Sequence, residues 1–293
     1  MHYKITPDRA DIIFIFSGPS VSDHFEKNYS SRLWLSYACR VVKRNILVNG
    51  GDCMSDFGTI DAIQGGLSPA SDRRDGQFEA LGRTESAAQV RDRIACYSDS
   101  ARMAANYVEL YIVQDFLMPD ECAELIALID ANRVPSPVVA DDPVPSYRTS
   151  ETCYLYPGPA PVTAVEAKLD QLTGLEPRYG EALQGQRYAV GQEFKPHHDF
   201  FDTGQHYWQD QVAIGGQRTW SAMIFLNEPE AGGRTNFPTA GVMIAPKAGN
   251  LVIWNNMDEY GAPNPGSLHQ GMPVEQGVKY VLTKWYRERP WCQ

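Results

Sequence analysis

The chain has 293 residues, room for one large domain or two modest ones, and its 43% hydrophobic and 21% charged content is that of a folded globular protein rather than a disordered one. The net charge of −10 disfavours a dedicated nucleic-acid or anionic-membrane binder, and no apolar run approaches the ~18 residues of a membrane helix. The six cysteines (Cys39, Cys53, Cys96, Cys122, Cys153 and Cys292) contain no C-x-x-C pair. That sets aside a zinc ribbon and a thioredoxin-type site, and points to a reducing cytoplasm.

Residues 1–105 form an N-terminal region to which no chemistry can be assigned. Ile12–Phe16 reads as a short strand behind a lead-in too acidic for a signal peptide, and Arg32–Val42 as a weak helix. Met54 is an alternative first residue. A helix is expected over about 77–97, with Phe78, Leu81, Val90 and Ile94 at loosely helical spacing. From residue 106 the signals sharpen into a second unit running to 293. Tyr107–Val113 alternates as a strand. Pro119-Asp120 opens a helix with an apolar stripe of Cys122, Leu125, Ile126 and Ile129, stopped by Pro135. A second helix covers Pro161–Leu172 and ends at Gly174. Strands follow at Gln184–Phe194, Arg218–Asn227, Gly241–Ile244, Asn250–Trp254 and Val278–Tyr286. Helices first and short strands after give an α+β class, with helices outside a β-sandwich or jelly roll.

Chemistry concentrates in Phe194-Lys195-Pro196-His197-His198-Asp199. Strand alternation puts His197 and Asp199 on one face and turns His198 away. A distant third ligand, for which His269 is the candidate, would complete a 2-His-1-carboxylate set suited to non-haem Fe(II). An isolated H-x-D is more often a surface hydrogen bond. Lys279 shifts the balance: it lies ten residues after His269, inside the apolar strand Val278–Trp285. A lysine there needs an anion, such as a dicarboxylate cosubstrate, if its face lines a barrel interior.

Taken in order, Tyr188–Phe194, His197-His198-Asp199, Gly232-Gly233-Arg234-Thr235, Ser267-Leu268-His269, Lys279 and Thr283-Lys284-Trp285 closely resemble the prolyl 4-hydroxylase branch of the 2-oxoglutarate/Fe(II) dioxygenases. The likeness covers roughly residues 107–290. It implies a double-stranded β-helix (jelly roll), with His197, Asp199 and His269 as both catalytic residues and iron ligands. It further implies that Lys279, Tyr188 and Thr235 hold the distal carboxylate of 2-oxoglutarate, and that Arg218 and Trp285 face the substrate. Fe(II), 2-oxoglutarate and O2 would be required, with ascorbate to rescue oxidised iron. The implied reaction hydroxylates an unactivated C–H, foremost in a prolyl residue of a peptide or protein, and releases succinate and carbon dioxide. A free amino acid or small metabolite as substrate, or a non-catalytic metal-binding jelly roll, stay open as alternatives. The branch usually has Glu where this chain has Arg234, which leaves the iron ligands untouched. His206 is assigned to a substrate lid in the loop Asp202–Gln211. Neither nucleic acid nor membrane is expected as a partner, and oligomeric state is left open.

Overall fold

The computed structural model describes residues 71–292 apart from 139, 141–143 and 145. The strand and helix expected before residue 71 lie outside the described residues. The chain divides into two compact units, Met1–Gln64 and Gly65–Gln293, and everything described below belongs to the second.

Three longer helices and a series of antiparallel strands form the frame of the unit. Helix α1 spans Ser71–Ala95, and its buried stripe is Ala87, Val90 and Ile94. Leu81, expected on that stripe, is 55% exposed, because Ala87 supplies the helical spacing to Val90 and Ile94 instead. Helix α2, Pro119–Asn132, starts where proline costs no hydrogen bond. The Glu121 carboxylate accepts the Met118 N–H at 2.8 Å and holds Lys168 of the next helix at 2.6 and 2.7 Å. Helix α3, Ala160–Thr173, buries Val162, Val165, Leu169 and Leu172 and ends at Gly174, whose φ of 69° only glycine adopts freely.

Strands β1 (Ser100–Arg102), β2 (Leu110–Val113), β3 (Val134–Pro135), β4 (Glu151–Leu155), β5 (Leu183–Tyr188), β6 (Phe194–His197) and β7 (Arg218–Phe225) come next in chain order. They are followed by β8 (Ala231–Gly232), β9 (Thr235–Phe237), β10 (Val242–Ile244), β11 (Leu251–Asn255), β12 (His269–Gly271), β13 (Val274–Gln276) and β14 (Lys279–Arg287). A short helix α4, Trp208–Ala213, sits between β6 and β7 and overlaps the end of the segment expected to act as a lid. Among the described residues, eight strands form one antiparallel sheet in the order β1-β2-β11-β7-β14-β5-β4-β3. A second sheet runs β10-β9-β12-β6, and β13 pairs with β8.

The large sheet separates two cores. On one face Tyr280, Leu282 and Tyr286 meet the apolar sides of α1, α2 and α3. Gly185 lets Ile129 approach: a Cβ there would sit 2.3 Å from the Ile129 side chain. On the other face Met223, Phe225, Trp254 and Val281 pack beneath Phe237, Val242 and Ile244 of the small sheet. The site lies in this second layer.

The expected single strand Gln184–Phe194 is two. Gly191, at φ 79°, and the bond from Gln192 N–H to the Ala189 carbonyl make a turn between them. That turn sends β5 into the large sheet and β6 into the small one, so Tyr188 and His197 face each other from different sheets rather than along one strand. Strand β2 is also shorter than expected, because Tyr107 takes a positive φ of 62°.

Candidate metal centre and its cavity

His197 ends β6, and His269 opens β12 directly opposite it in the antiparallel register. Direct cross-strand partners share a face, so the two imidazoles meet with ring centroids 4.2 Å apart. Asp199 lies two residues beyond the strand end. Its Oδ1 is 3.8 Å from His197 Nε2 and its Oδ2 is 3.8 Å from His269 Nε2. One ligand atom from each of the three lies within 4.8 Å of the others. Each ring's Nδ1 is 2.8–2.9 Å from the carbonyl two residues earlier, Lys195 for His197 and Ser267 for His269. A carbonyl can only accept, so Nδ1 carries the proton and the Nε2 lone pairs face the gap.

Electrostatics agree with that geometry. Burial, then the neighbouring His269, push His197 well below the usual imidazole range, so it is neutral. Burial alone would raise Asp199, but His269, His197, Arg218 and the Ser221 hydroxyl outweigh it and hold the carboxyl down to about 2. Ser221 donates to Asp199 Oδ2 at 2.6 Å, and Asn256 donates to Ser221 Oγ at 2.8 Å. This two-step support is invisible in sequence, where Ser221 and Asn256 are single polar residues in or beside apolar strands. His198, its Nε2 3.3 Å from the Pro265 carbonyl, and His206 are not among the three converging ligands.

The cavity continues to the other end of β14, where Lys279, Val281, Thr283 and Trp285 line it together. Lys279 is directly opposite Tyr188 in the β14–β5 register. Its Nζ lies 5.4 Å from the Tyr188 and Phe225 ring centres, with no hydrogen bond or ion pair to any described residue. Burial therefore lowers its pKa to about 7. Thr235 Oγ1 and Trp285 Nε1 are likewise buried without partners. Tyr188 donates its hydroxyl to Gln186 at 3.1 Å. The Gly232-Gly233 pair is a steric requirement here: both have positive φ, and a Cβ on Gly233 would come 3.2 Å from Lys279 Cδ. Arg234 points to solvent, and its carbonyl accepts the Met272 N–H at 2.8 Å.

Arg218 stacks over Trp285 at 4.0 Å, with Nε and Nη2 committed to Glu181 at 2.6 and 2.7 Å. Arg287 shares that carboxylate at 2.5 Å. Sequence reasoning missed Glu181 and Arg287, and it also missed Arg148, which lies over Phe194 at 4.9 Å. Only Arg287 carries a signal, as a charge at the end of the apolar strand β14; Glu181 and Arg148 lie outside the strands, where charge is ordinary.

The profile of the 2OG-Fe(II) oxygenase superfamily matches residues 183–287. Prolyl 4-hydroxylase 2 of Arabidopsis thaliana is 32% identical over 201 residues, covering 60% of this chain and 66% of its own. Prolyl 4-hydroxylase 5 of the same plant is 31% identical over 199 residues, covering 60% and 67%. This chain belongs to the prolyl 4-hydroxylase branch of the 2-oxoglutarate/Fe(II) dioxygenases. The human prolyl 4-hydroxylase subunit alpha-1 is 31% identical over 159 residues, which is 53% of this chain and 29% of that subunit. The chain thus spans about two thirds of the plant relatives and under a third of the animal subunit. Among solved structures, a viral collagen prolyl hydroxylase from Paramecium Bursaria Chlorella virus-1, as its 2OG complex, aligns at 26% identity and a TM-score of 0.48, covering 61% of this chain and 94% of that one.

Membership of this branch implies Fe(II), with 2-oxoglutarate and O2 as cosubstrates. The residues present fit that set. Two imidazole lone pairs and one ionised carboxylate suit a ferrous ion, and an unpartnered ammonium and hydroxyl suit the far carboxylate of a dicarboxylic acid.

Proposed function

We propose that the enzyme hydroxylates a prolyl residue of a peptide or protein. The observation that carries this is the pairing of a three-ligand centre with a buried, unpartnered ammonium at the opposite end of one cavity. In this reading His197, Asp199 and His269 bind iron, and Lys279, Thr235 and Tyr188 hold the distal carboxylate of 2-oxoglutarate. Once bound, the metal, 2-oxoglutarate and O2 together supply the oxidising power that converts C–H to C–OH, with succinate and carbon dioxide released.

The chain's own residues set the geometry. The Lys195 and Ser267 carbonyls lock the imidazole tautomers, and Ser221 fixes the Asp199 carboxylate. Lys279 neutralises the cosubstrate's far charge, which sets its orientation along β14. Met223, Val281 and Phe194 keep the cavity dry. Trp285 lines the cavity on the substrate side with its indole N–H unpartnered, and Arg218, held by Glu181, positions that indole by stacking on it.

We also infer that the two main sheets form a double-stranded β-helix, with the β14 face that carries Lys279 turned inward. Ascorbate as a rescuer of oxidised iron follows from the branch. A reducing, cytoplasmic setting belongs to the same proposal. No helix among the described residues is long and apolar enough to cross a membrane.

Mass spectrometry of proline-containing peptides incubated with the Fe(II)-loaded enzyme tests the reading. A gain of one oxygen on proline, matched by succinate and dependent on 2-oxoglutarate, is the expected result. Succinate release with no oxygen gained on any prolyl peptide would overturn it.

A further inference from the structure

Four lysine or arginine side chains are buried among the described residues: Arg148, Lys279, Lys284 and Arg287. Lys284 has Glu166 at 2.6 Å and Arg287 has Glu181 at 2.5 Å. Lys279, on the reading above, meets the cosubstrate. That leaves Arg148, which is 8% exposed and touches neutral oxygens only. Its donors reach Ser150 Oγ and Thr152 Oγ1 at 3.2 Å, and the Pro137 carbonyl and Gln184 Oε1 at 3.4 Å. Charge-assisted hydrogen bonds normally close to about 2.7–2.9 Å, so these four contacts solvate the guanidinium without neutralising it. No carboxylate pairs with it directly: Asp199 acts on it from farther off and belongs to the metal trio, and a buried charge without a counter-ion of its own is strongly disfavoured. Its persistence here calls for a ligand, just as it does for Lys279.

Position narrows the ligand. Arg148 lies against one ring, Phe194, whose plane stacks on His197 at 3.5 Å between centroids. The guanidinium is therefore one ring away from the metal trio. Tyr154 shares the face of β4 that carries Thr152 and is 43% exposed. The two charges of 2-oxoglutarate are already matched by the metal and Lys279. Glu181, divided between Arg218 and Arg287, leaves that wall net positive as well.

We propose that Arg148 receives a carboxylate of the primary substrate, carried close to the prolyl ring that is hydroxylated. This rests on the prolyl-hydroxylase reading and narrows it to acidic substrates. Two sources present the same chemistry. One is the proline's own carboxylate, in free or C-terminal proline. The other is an aspartate or glutamate side chain beside an internal proline.

Binding tests this without turnover. The full chain, loaded anaerobically with Mn(II) and 2-oxoglutarate, is titrated calorimetrically with two matched pairs. N-acetyl-L-proline against its amide reports the proline's own carboxylate; N-acetyl-prolyl-aspartyl amide against the asparaginyl isostere reports the flanking side chain. The acid of one pair should bind at least about tenfold tighter than its neutral partner, the equivalent of about 1.4 kcal/mol. The pair that shows the preference identifies the source. Arg148→Gln should erase the preference while 2-oxoglutarate affinity stays within about threefold, and Arg148→Lys should restore part of it. No preference in either pair on the wild-type protein, including no binding at all, overturns the proposal and needs no variant to fold. So does a fall in 2-oxoglutarate affinity equal to the fall for the acid, which would give Arg148 to the cosubstrate. The prolyl-hydroxylase reading is judged separately: oxygen gained equally by acidic and neutral peptides would uphold it while sinking the carboxylate at Arg148.

Discussion

The two faces of β14 bury a lysine each, and the two lysines serve opposite ends. Lys284 faces α3 and is closed by Glu166 at 2.6 and 2.8 Å. Lys279, five residues earlier, faces the cavity and has no counter-ion. A buried pair completed within the chain contributes to a defined scaffold. A buried charge left incomplete is a stability cost retained for a ligand. The helix face should therefore answer mutation in stability, and the cavity face in binding and turnover.

The largest effect should come from the metal trio. His197→Ala or Asp199→Ala should lower 2-oxoglutarate turnover by at least about a thousandfold, some 4 kcal/mol of barrier, with the melting temperature little changed. Succinate release beside a thermal melt measures both, and wild-type turnover in either variant would break the ligand assignment.

The helix face gives the opposite signature. Glu166→Gln strands the Lys284 ammonium and should cost about 3–5 kcal/mol in denaturant unfolding, with the 2-oxoglutarate requirement unchanged. A rise in that requirement would mean the two faces are not independent.

Lys279→Met sharpens the contrast because its two effects have opposite signs. Losing a charged, hydrogen-bonded pair should weaken 2-oxoglutarate binding by about 1.5–3 kcal/mol, roughly 10- to 150-fold. The same change should stabilise the ligand-free protein, since the unpaired ammonium is gone. A ligand-free Lys279→Met protein that unfolds earlier than wild type would contradict the account.

The pH dependence of that same group completes the contrast. Burial lowers Lys279 to about 7 from its ordinary 10.5. Between those values the unfolded chain binds the proton and the folded chain does not, so ligand-free stability should rise as pH climbs from about 7 toward 10. The penalty is fully present below pH 7. Affinity for 2-oxoglutarate should run the other way and fall above pH 7, as the ammonium is lost. Both slopes should flatten in Lys279→Met, measured by unfolding and by calorimetry with Mn(II).

The sequence disclosed the rare elements of this layout. Two histidines, an aspartate and a lysine inside an apolar strand stand out because such residues need a reason to be buried, and the structure brings all four to one cavity. The helices at 119–132 and 160–173 were legible from their apolar stripes and their proline and glycine boundaries. What stayed hidden was set by tertiary contacts. Gly191 looked like a pause in one strand, yet it moves the chain from one sheet to the other. Ser221, Asn256 and Glu181 are ordinary polar residues until folding places them behind Asp199 and Arg218. Helix α1 gave a poor pattern because a small residue, Ala87, carries part of its contact.

His197 and His269 are exact cross-strand neighbours, and a slip of one residue would turn one imidazole to the opposite side of the sheet. On the proposed ligand set, a ferrous ion could be gripped only after β6 and β12 have found their alignment, across the 71 residues that lie between the two histidines. Metal capture would then act as an inspection of the finished fold, leaving mispaired chains without iron.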